Sequence, residues 1–201
     1  NNAPFDHSTG PLAGLPSSYG NTMAYDGTTH GVSERLALGP VVSSGSEYYS
    51  MAFTVTALSS LPTTPIFAAG FSNLTGTSAS GPTTVGTRIV LARIATGDNT
   101  HYAIGLTKNS STASDVQWEG GSQGAVAHSV NDPLFIVGAY DIVDGPTNDV
   151  SRLWINPDST NFGAASAPSA TITADEAKTD LAAFGGGPPS VASFVYRSNQ
   201  T

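Results

Sequence analysis

The sequence predicts an all-β fold, a two-sheet antiparallel β-sandwich formed by one domain over residues 1–201. Charged residues make up only 11% of the chain, which also holds 22 glycines and 13 prolines. An average soluble protein has about 25% charged residues, and many strong helix formers are charged. This composition favours short strands joined by many turns. A run of alternating apolar residues at 48–58 and two predicted hairpins support the same conclusion.

The N-terminal part begins with a turn-rich lead-in over residues 1–40, in which we expect one or two short strands. The clearest strand follows at 48–58. Tyr49 and Phe53 fall on its apolar face, and Ser50 falls on the opposite face. This period of two is typical of a strand with one buried side.

The middle of the chain predicts a hairpin. A short apolar run at 66–71 and a polar loop at 73–84 precede it. Its strands are predicted at 88–94 and 101–107, joined by the turn at 96–99. The positions expected to point inward are Ile89, Leu91, Tyr102, Ile104 and Leu106.

The C-terminal part predicts a second hairpin. A brief strand at 115–118 comes first, and the run at 134–143 is apolar on both faces, as in a central strand. A polar turn joins that run to a strand at 150–155. After a long loop, residues 174–183 form the one weakly helical segment, with a surface loop as the alternative. The closing strand is predicted at 192–197.

The charge distribution argues against several partners. The net charge is −8, and the seven basic residues are spread singly along the chain. Nucleic-acid binding needs clustered Lys and Arg, so we expect no nucleic-acid partner. The longest apolar runs are about ten residues, too short to span a bilayer, so we expect no membrane insertion. The chain has no cysteine, which excludes disulfides and thiolate chemistry. The low-charge, Ser/Thr-rich composition suggests a secreted or cell-surface protein.

A succession of short motifs covers roughly three quarters of the chain. They are YYSMAF at 48–53, AGFSN at 69–73, VGTR at 85–88, IGLTKN at 104–109, FIVGAY at 135–140, ND at 148–149, LWINP at 153–157 and SFVYR at 193–197. In order and spacing they resemble the laminin-G-like, concanavalin A-like jelly-roll domains of exported bacterial proteins. The resemblance implies a two-sheet jelly roll. It implies no single function, because that fold carries lectins, carbohydrate-binding modules, glycosidases, lyases and structural modules.

Catalytic patterns are missing from the sequence. The Glu-x-Asp-x-x-Glu strand of laminarinase-like glycosidases is absent, and no glutamate has an acidic partner at same-face spacing within a strand. The Gln-x-His triplet of alginate-lyase-like relatives is also absent, although Gln117, Tyr196 and Arg197 are present. No Gly-x-Ser-x-Gly motif and no phosphate loop occurs. We therefore expect a domain that is not an enzyme.

One predicted ligand site is a sugar-binding surface on an exposed aromatic residue. Trp118 lies in a short polar segment flanked by glycines, which favours exposure, whereas Trp154 alternates with polar neighbours in a strand and is expected to be buried. A groove could combine Trp118 with polar residues from neighbouring strands. The candidate set is Trp118, Glu119, His101, Arg88 and Arg93.

A second predicted site is a calcium site in the turn of the second hairpin. Asp141, Asp144, Asn148 and Asp149 provide the oxygen ligands that calcium prefers. The alternative is a polar turn whose Asp and Asn side chains cap their own backbone. The sequence leaves both open, and it implies no other cofactor.

Three functions remain open at this level. The first is a non-catalytic extracellular module that binds polysaccharide or cell-surface or matrix glycan, or serves as a structural spacer. The second is a polysaccharide-active enzyme, a glycosidase or lyase, that uses a concave sheet face. The third is a subunit of a surface assembly, in which self-assembly would use an exposed edge strand or a terminus.

Overall fold

The computed structural model describes residues 33–76, 82, 84–176, 180–182 and 190–197. Within these residues the strands form two antiparallel sheets that pack as a sandwich, which confirms the predicted fold class. No α-helix occurs in the described ranges, where the only helical segments are three-residue 3-10 turns. None of the described helical segments is long and apolar enough to cross a membrane.

The larger sheet has seven strands in the order β1-β11-β3-β4-β5-β6, with β7 also paired to β5. It therefore places the first described strand beside the last. The strands are β1 Ser33–Val42, β3 Ile66–Ser72, β4 Val85–Arg93, β5 His101–Thr107, β6 Gln117–Trp118, β7 His128–Ser129 and β11 Val191–Arg197.

The smaller sheet has four strands in the order β10-β9-β8-β2. Its central strands β8 and β9 form the second predicted hairpin, and β2 pairs along its whole length with β8. The strands are β2 Gly45–Phe53, β8 Leu134–Ile142, β9 Val150–Ile155 and β10 Ile172–Ala174.

The main core lies between the sheets and follows the predicted alternation. Ile89, Tyr102, Ile104 and Leu106 of the larger sheet are buried there, as the sequence predicts. The smaller sheet contributes its own inward positions, and aromatic rings from β2, β3 and β11 fill one end. Those rings are Tyr49, Phe71 and Phe194, whose centroids lie 4.5–5.9 Å apart.

A bulge in β4 links the two sheets. Thr87 has a left-handed backbone with φ of 45°, a conformation that costs a β-branched residue about 1–3 kcal/mol. Two buried hydrogen bonds offset this cost: the Thr87 N–H donates to Ser151 Oγ at 3.0 Å, and Thr87 Oγ1 donates to the Ala139 carbonyl at 2.8 Å. The larger sheet is thereby joined to β8 and β9 by polar contacts within an otherwise apolar interface.

Several predicted elements differ from the observed ones. The strand predicted at 48–58 is Gly45–Phe53, so it begins earlier and ends earlier. The lead-in, in which one or two short strands were predicted, ends in one ten-residue strand, Ser33–Val42, which continues past residue 40. The helix considered for residues 174–183 does not begin at Ala174, which is the last residue of strand β10. Residues 177–179 and 183 of that segment lie outside the described ranges. Most of the lead-in, residues 1–32, also lies outside them.

Candidate functional site

The outer face of the four-stranded sheet carries an aromatic groove, which we define by Tyr48, Val137, Trp154 and Phe162. Tyr48 points outward because its neighbour Tyr49 packs into the core. Tyr48 lies opposite Ala139, and Val137 lies opposite Trp154 in the adjacent pair of strands. The small Ala139 side chain leaves room for the Tyr48 and Trp154 rings to stack, with centroids 6.4 Å apart and planes 27° apart.

The segment after β9 forms the second wall of the groove. A 3-10 turn at Ser159–Asn161 turns the chain back over the sheet and is capped by Asp158, whose side chain accepts from the Thr160 N–H. Trp154 Nε1 donates to the Pro168 carbonyl at 3.0 Å, which fixes this segment against β9. Phe162 then packs edge-on against Phe135, with centroids 5.9 Å apart.

The groove is open to solvent, and the aromatic side chains that line it differ in their exposure. It consists of two adjoining cavities of about 320 and 330 Å³ that share Tyr48, Val137 and Phe162. Tyr48 and Phe162 are 48% and 43% exposed, whereas Trp154 is only 4% exposed. Two accessible rings therefore flank the groove, and Trp154 supports the Tyr48 ring from beneath.

A charged pair lies at one end of the groove. Arg152 Nη2 donates to Asp141 Oδ1 at 2.6 Å, and the guanidinium lies 5.3 Å from the centre of the Trp154 ring. Ser46 Oγ also donates to Asp141 Oδ1. The hydrogen bond to Asp141 raises the pKa of Arg152, so the guanidinium stays charged. Charged and polar groups thus stand beside the aromatic rings, as in a site that orients a polar ligand.

The predicted sugar platform lies on the other sheet. Trp118 pairs with Gly105 across β5 and β6, and its ring covers Gly105, where an added Cβ would lie 2.9 Å from Trp118 Cε3. Gly105 sits between the inward residues Ile104 and Leu106, so Trp118 is on the outer face of the larger sheet. Trp118 is half-buried there. Arg88 shares this face, with its guanidinium 5.0 Å from the centre of the Phe67 ring.

The remaining predicted ligand residues each have a local partner. His101 Nδ1 lies 3.1 Å from Asp98 Oδ2, in the turn before β5. Glu119 Oε2 lies 2.6 Å from His128 Nε2, and both side chains are mostly buried. Arg93 donates to the Leu58 carbonyl at the end of the core. The structure therefore does not gather the five predicted residues into one groove. Arg93 lies on the inner face of the larger sheet, whereas Arg88 and Trp118 lie on its outer face.

The predicted calcium ligands also have protein partners. Asp141 pairs with Arg152, and Asn148 Nδ2 donates to the Asp144 carbonyl at 2.6 Å. Asp149 points inward, where its Oδ1 accepts from the Val143 N–H at 2.7 Å and burial raises its pKa. In the described part of the chain, no three His, Cys, Asp or Glu side chains are grouped so as to hold a metal ion. The calcium site stays a prediction, and these contacts are those of a turn that caps itself.

Sequence reasoning proposed none of the four groove residues as ligand residues. Tyr48 is an aromatic residue on the same outward face of strand β2 as Ser50. An aromatic residue on a solvent-facing side of a strand was the signal that could have indicated a binding surface. Phe162 is an isolated aromatic residue in a loop of small residues, for which no pattern exists. Trp154 is buried as predicted, but beneath the groove rather than between the sheets.

Comparison with protein-family models, with curated proteins and with solved structures found no match.

Proposed function

We propose that this domain is a non-catalytic binding module of a secreted or cell-surface protein and that it binds glycan in the aromatic groove. The observation that carries the proposal is the pair of exposed rings, Tyr48 and Phe162, on either side of a groove whose end holds the Arg152–Asp141 pair. The apolar face of a sugar ring packs on an aromatic face, while its hydroxyls need polar partners nearby. The groove offers both.

The groove is pre-formed, which supports a binding role. Tyr48 is stacked on Trp154, and Trp154 is held by its hydrogen bond to Pro168. A side chain that is already ordered loses little entropy when a ligand binds. The site is also shallow, so we expect affinities on the order of 1 mM, equivalent to about −4 kcal/mol.

Binding is tested by affinity electrophoresis and calorimetry against a panel of neutral and uronate-containing polysaccharides. Tyr48→Ala should weaken binding about tenfold, because losing the ring removes its buried apolar area as well as a stacking contact, and tenfold corresponds to only about 1.4 kcal/mol. Tyr48→Phe keeps the ring and should retain most of the affinity. Trp118→Ala is the matched control on the other sheet and should bind like the wild type. Loss of binding in Trp118→Ala but not in Tyr48→Ala would refute the groove and favour the Trp118 surface.

The enzyme alternative rests on the Glu119–His128 pair, a carboxylate and an imidazole 2.6 Å apart. Such a pair is able to carry protons in acid–base catalysis. Its position on the larger sheet separates it from the aromatic groove. Assays for new reducing ends and for unsaturated uronates on the same panel should show no turnover. Turnover that disappears in Glu119→Gln or His128→Ala would establish the enzyme in place of the module.

A further inference from the structure

Lys108, the residue after β5, is fully buried, and its environment is unusual. Its side chain has 0% exposure, and that of its partner Asp180 has 3%. Lysine is almost never fully buried unless it is paired, and burying an ion pair costs several kcal/mol per ion before the attraction is counted. The site therefore needs an explanation beyond an ordinary surface ion pair.

The geometry places the lysine nitrogen against one carboxyl group. Lys108 Nζ lies 2.8 Å from Asp180 Oδ1 and donates to the Thr147 carbonyl at 3.0 Å. The same loop holds the carboxyl group: the N–H of Asp149 donates to Asp180 Oδ1 at 3.1 Å, and the N–H of Asn148 donates to Asp180 Oδ2 at 3.2 Å. Amine and carboxyl are thus held together by one short segment, residues 147–149.

A second carboxyl group lies in the same cluster. Asp149 is fully buried and interacts electrostatically with both Lys108 and Asp180. Its Oδ1 accepts from the Val143 N–H at 2.7 Å, and the buried carboxyl group also interacts with the Tyr140 hydroxyl, which itself accepts from the Leu181 N–H. A buried carboxyl group beside the amine and the second carboxyl is able to accept and return a proton.

We propose that Lys108 and Asp180 are joined by an intramolecular amide bond. The ammonium group first gives a proton to the carboxylate beside it, since a buried pair of charges is less favourable than its neutral form. The neutral Nζ then attacks Cγ of Asp180, the N–C bond forms, one C–O bond breaks and water leaves. The sum is –NH₃⁺ plus –COO⁻ giving –NH–CO– plus H₂O, with no further reactant.

The surrounding groups have defined roles in this condensation. The N–H groups of Asn148 and Asp149 stabilise negative charge on the oxygens of the tetrahedral intermediate, as backbone donors do in acyl transfer. The Asp149 carboxyl carries the proton from the attacking nitrogen to the departing oxygen. Formation of the amide bond removes two charges from the core. It also ties the end of β5 to the segment before β11 in a chain that has no cysteine for a disulfide.

The intact mass of the purified full chain tests the proposal directly. The wild type should be lighter than its sequence by one water, about 18 Da. Trypsin should release residues 94–152 joined to residues 179–197, because the modified Lys108 is no longer a cleavage site. A wild-type chain at full sequence mass would overturn the proposal and leave the site as a buried ion pair.

Variants locate the bond and test the proton carrier. Lys108→Met should have its full sequence mass, and Asp180→Asn should lose ammonia, about 17 Da, through the same attack. Asp149→Asn should remain unreacted while circular dichroism shows that it is folded. A loss of 18 Da that persists in Lys108→Met would place the bond elsewhere and refute the assignment. If this variant does not fold, the mass of the wild type still decides whether the bond forms.

Discussion

At the scale of single residues, Asp98 shows how one carboxylate fixes a turn. Its Oδ1 accepts from the N–H groups of Thr100 at 2.8 Å and His101 at 2.9 Å, so it closes the connection between β4 and β5. These hydrogen bonds favour the charged form and hold the pKa of Asp98 well below its usual range.

This lowered pKa predicts a pH dependence of stability. A carboxyl group whose pKa is lower in the folded than in the unfolded state contributes stability above the unfolded value, about 4, and that contribution is lost as the pH falls further. Asp98→Ala should therefore melt at a lower temperature than the wild type at neutral pH, with a difference that shrinks below about pH 4. Melting curves across pH 2–7 measure it. Asp98→Asn keeps a hydrogen-bond acceptor but removes the charge, so it is the control. A difference in melting temperature between Asp98→Ala and the wild type that does not change with pH would contradict the prediction.

At the residue level, the sequence correctly predicted which strand residues are buried. It did not predict which residues are covered by a loop that folds back over a sheet. Alternation correctly assigned Tyr102 and Ile104 to the core and correctly predicted that Trp154 is buried. It did not show what covers the outer side of Trp154, because that depends on how the loop carrying Phe162 folds back. Loop conformation has no periodic signature, so the groove was not predicted.

At the scale of elements, the packing of β2 against β8 depends on a glycine. Gly138 of β8 lies opposite Tyr49 of β2, and the Tyr49 ring occupies the space where a side chain at position 138 would stand. The ring also packs against Phe71 and Phe194 in the core, so it has little room to move. The glycine is therefore what allows these strands to place an aromatic ring between the sheets.

Gly138→Ala should destabilise the domain by about 1–3 kcal/mol, the usual cost of overpacking a core. Denaturant unfolding monitored by circular dichroism measures the change. Ser50→Ala, on the exposed face of β2, is the control and should stay within about 0.5 kcal/mol of the wild type. In a double-mutant cycle, Tyr49→Leu should reduce the cost of the alanine because it removes the clash. Additive effects would show that the Tyr49 ring is not the obstacle.

Element-level prediction was good for long alternating strands and poor for short or exposed ones. The hairpins β4–β5 and β8–β9 were predicted, because each has clear alternation and a polar turn. β10 was missed because three residues give no period. The N-terminal strand β1 was hidden by its glycine and proline, Gly39 and Pro40, which signal turns but are tolerated in an edge strand.

At the scale of the whole molecule, the sequence predicted a sandwich and its two hairpins, but it did not predict how strands that are distant in sequence pair with each other. Strand pairing depends on contacts between distant parts of the chain, and a single sequence does not reveal them. For this reason the sequence did not show that the five candidate ligand residues, though all on or beside strands of one sheet, are divided between its two faces. Self-assembly likewise stays a prediction: β1 is an edge strand with Leu36 and Val41 exposed, the kind of edge that pairs with other chains.

The melting temperature of the whole domain tests the calcium prediction. Because Asp141 is paired with Arg152 and Asp149 points into the core, we expect the same melting curve in calcium and in chelator. A ligand that binds only the folded state raises the melting temperature, by an amount equivalent to about 2.7 kcal/mol at 100 times its Kd. A calcium-dependent increase that is absent in Asp144→Ala would instead establish the site.

The pairing of β1 with β11 also determines the order in which the molecule can assemble. All four strands of the groove-bearing sheet precede residue 175, whereas the larger sheet needs the strand that ends at Arg197 to lie between β1 and β3. Until that last strand is present, β1 has no partner and one side of β3 stays open. Such long-range closure is slow, typically milliseconds to seconds in β-sandwiches. A chain that is synthesised from its N-terminus must therefore reach residue 197 before the sandwich can close.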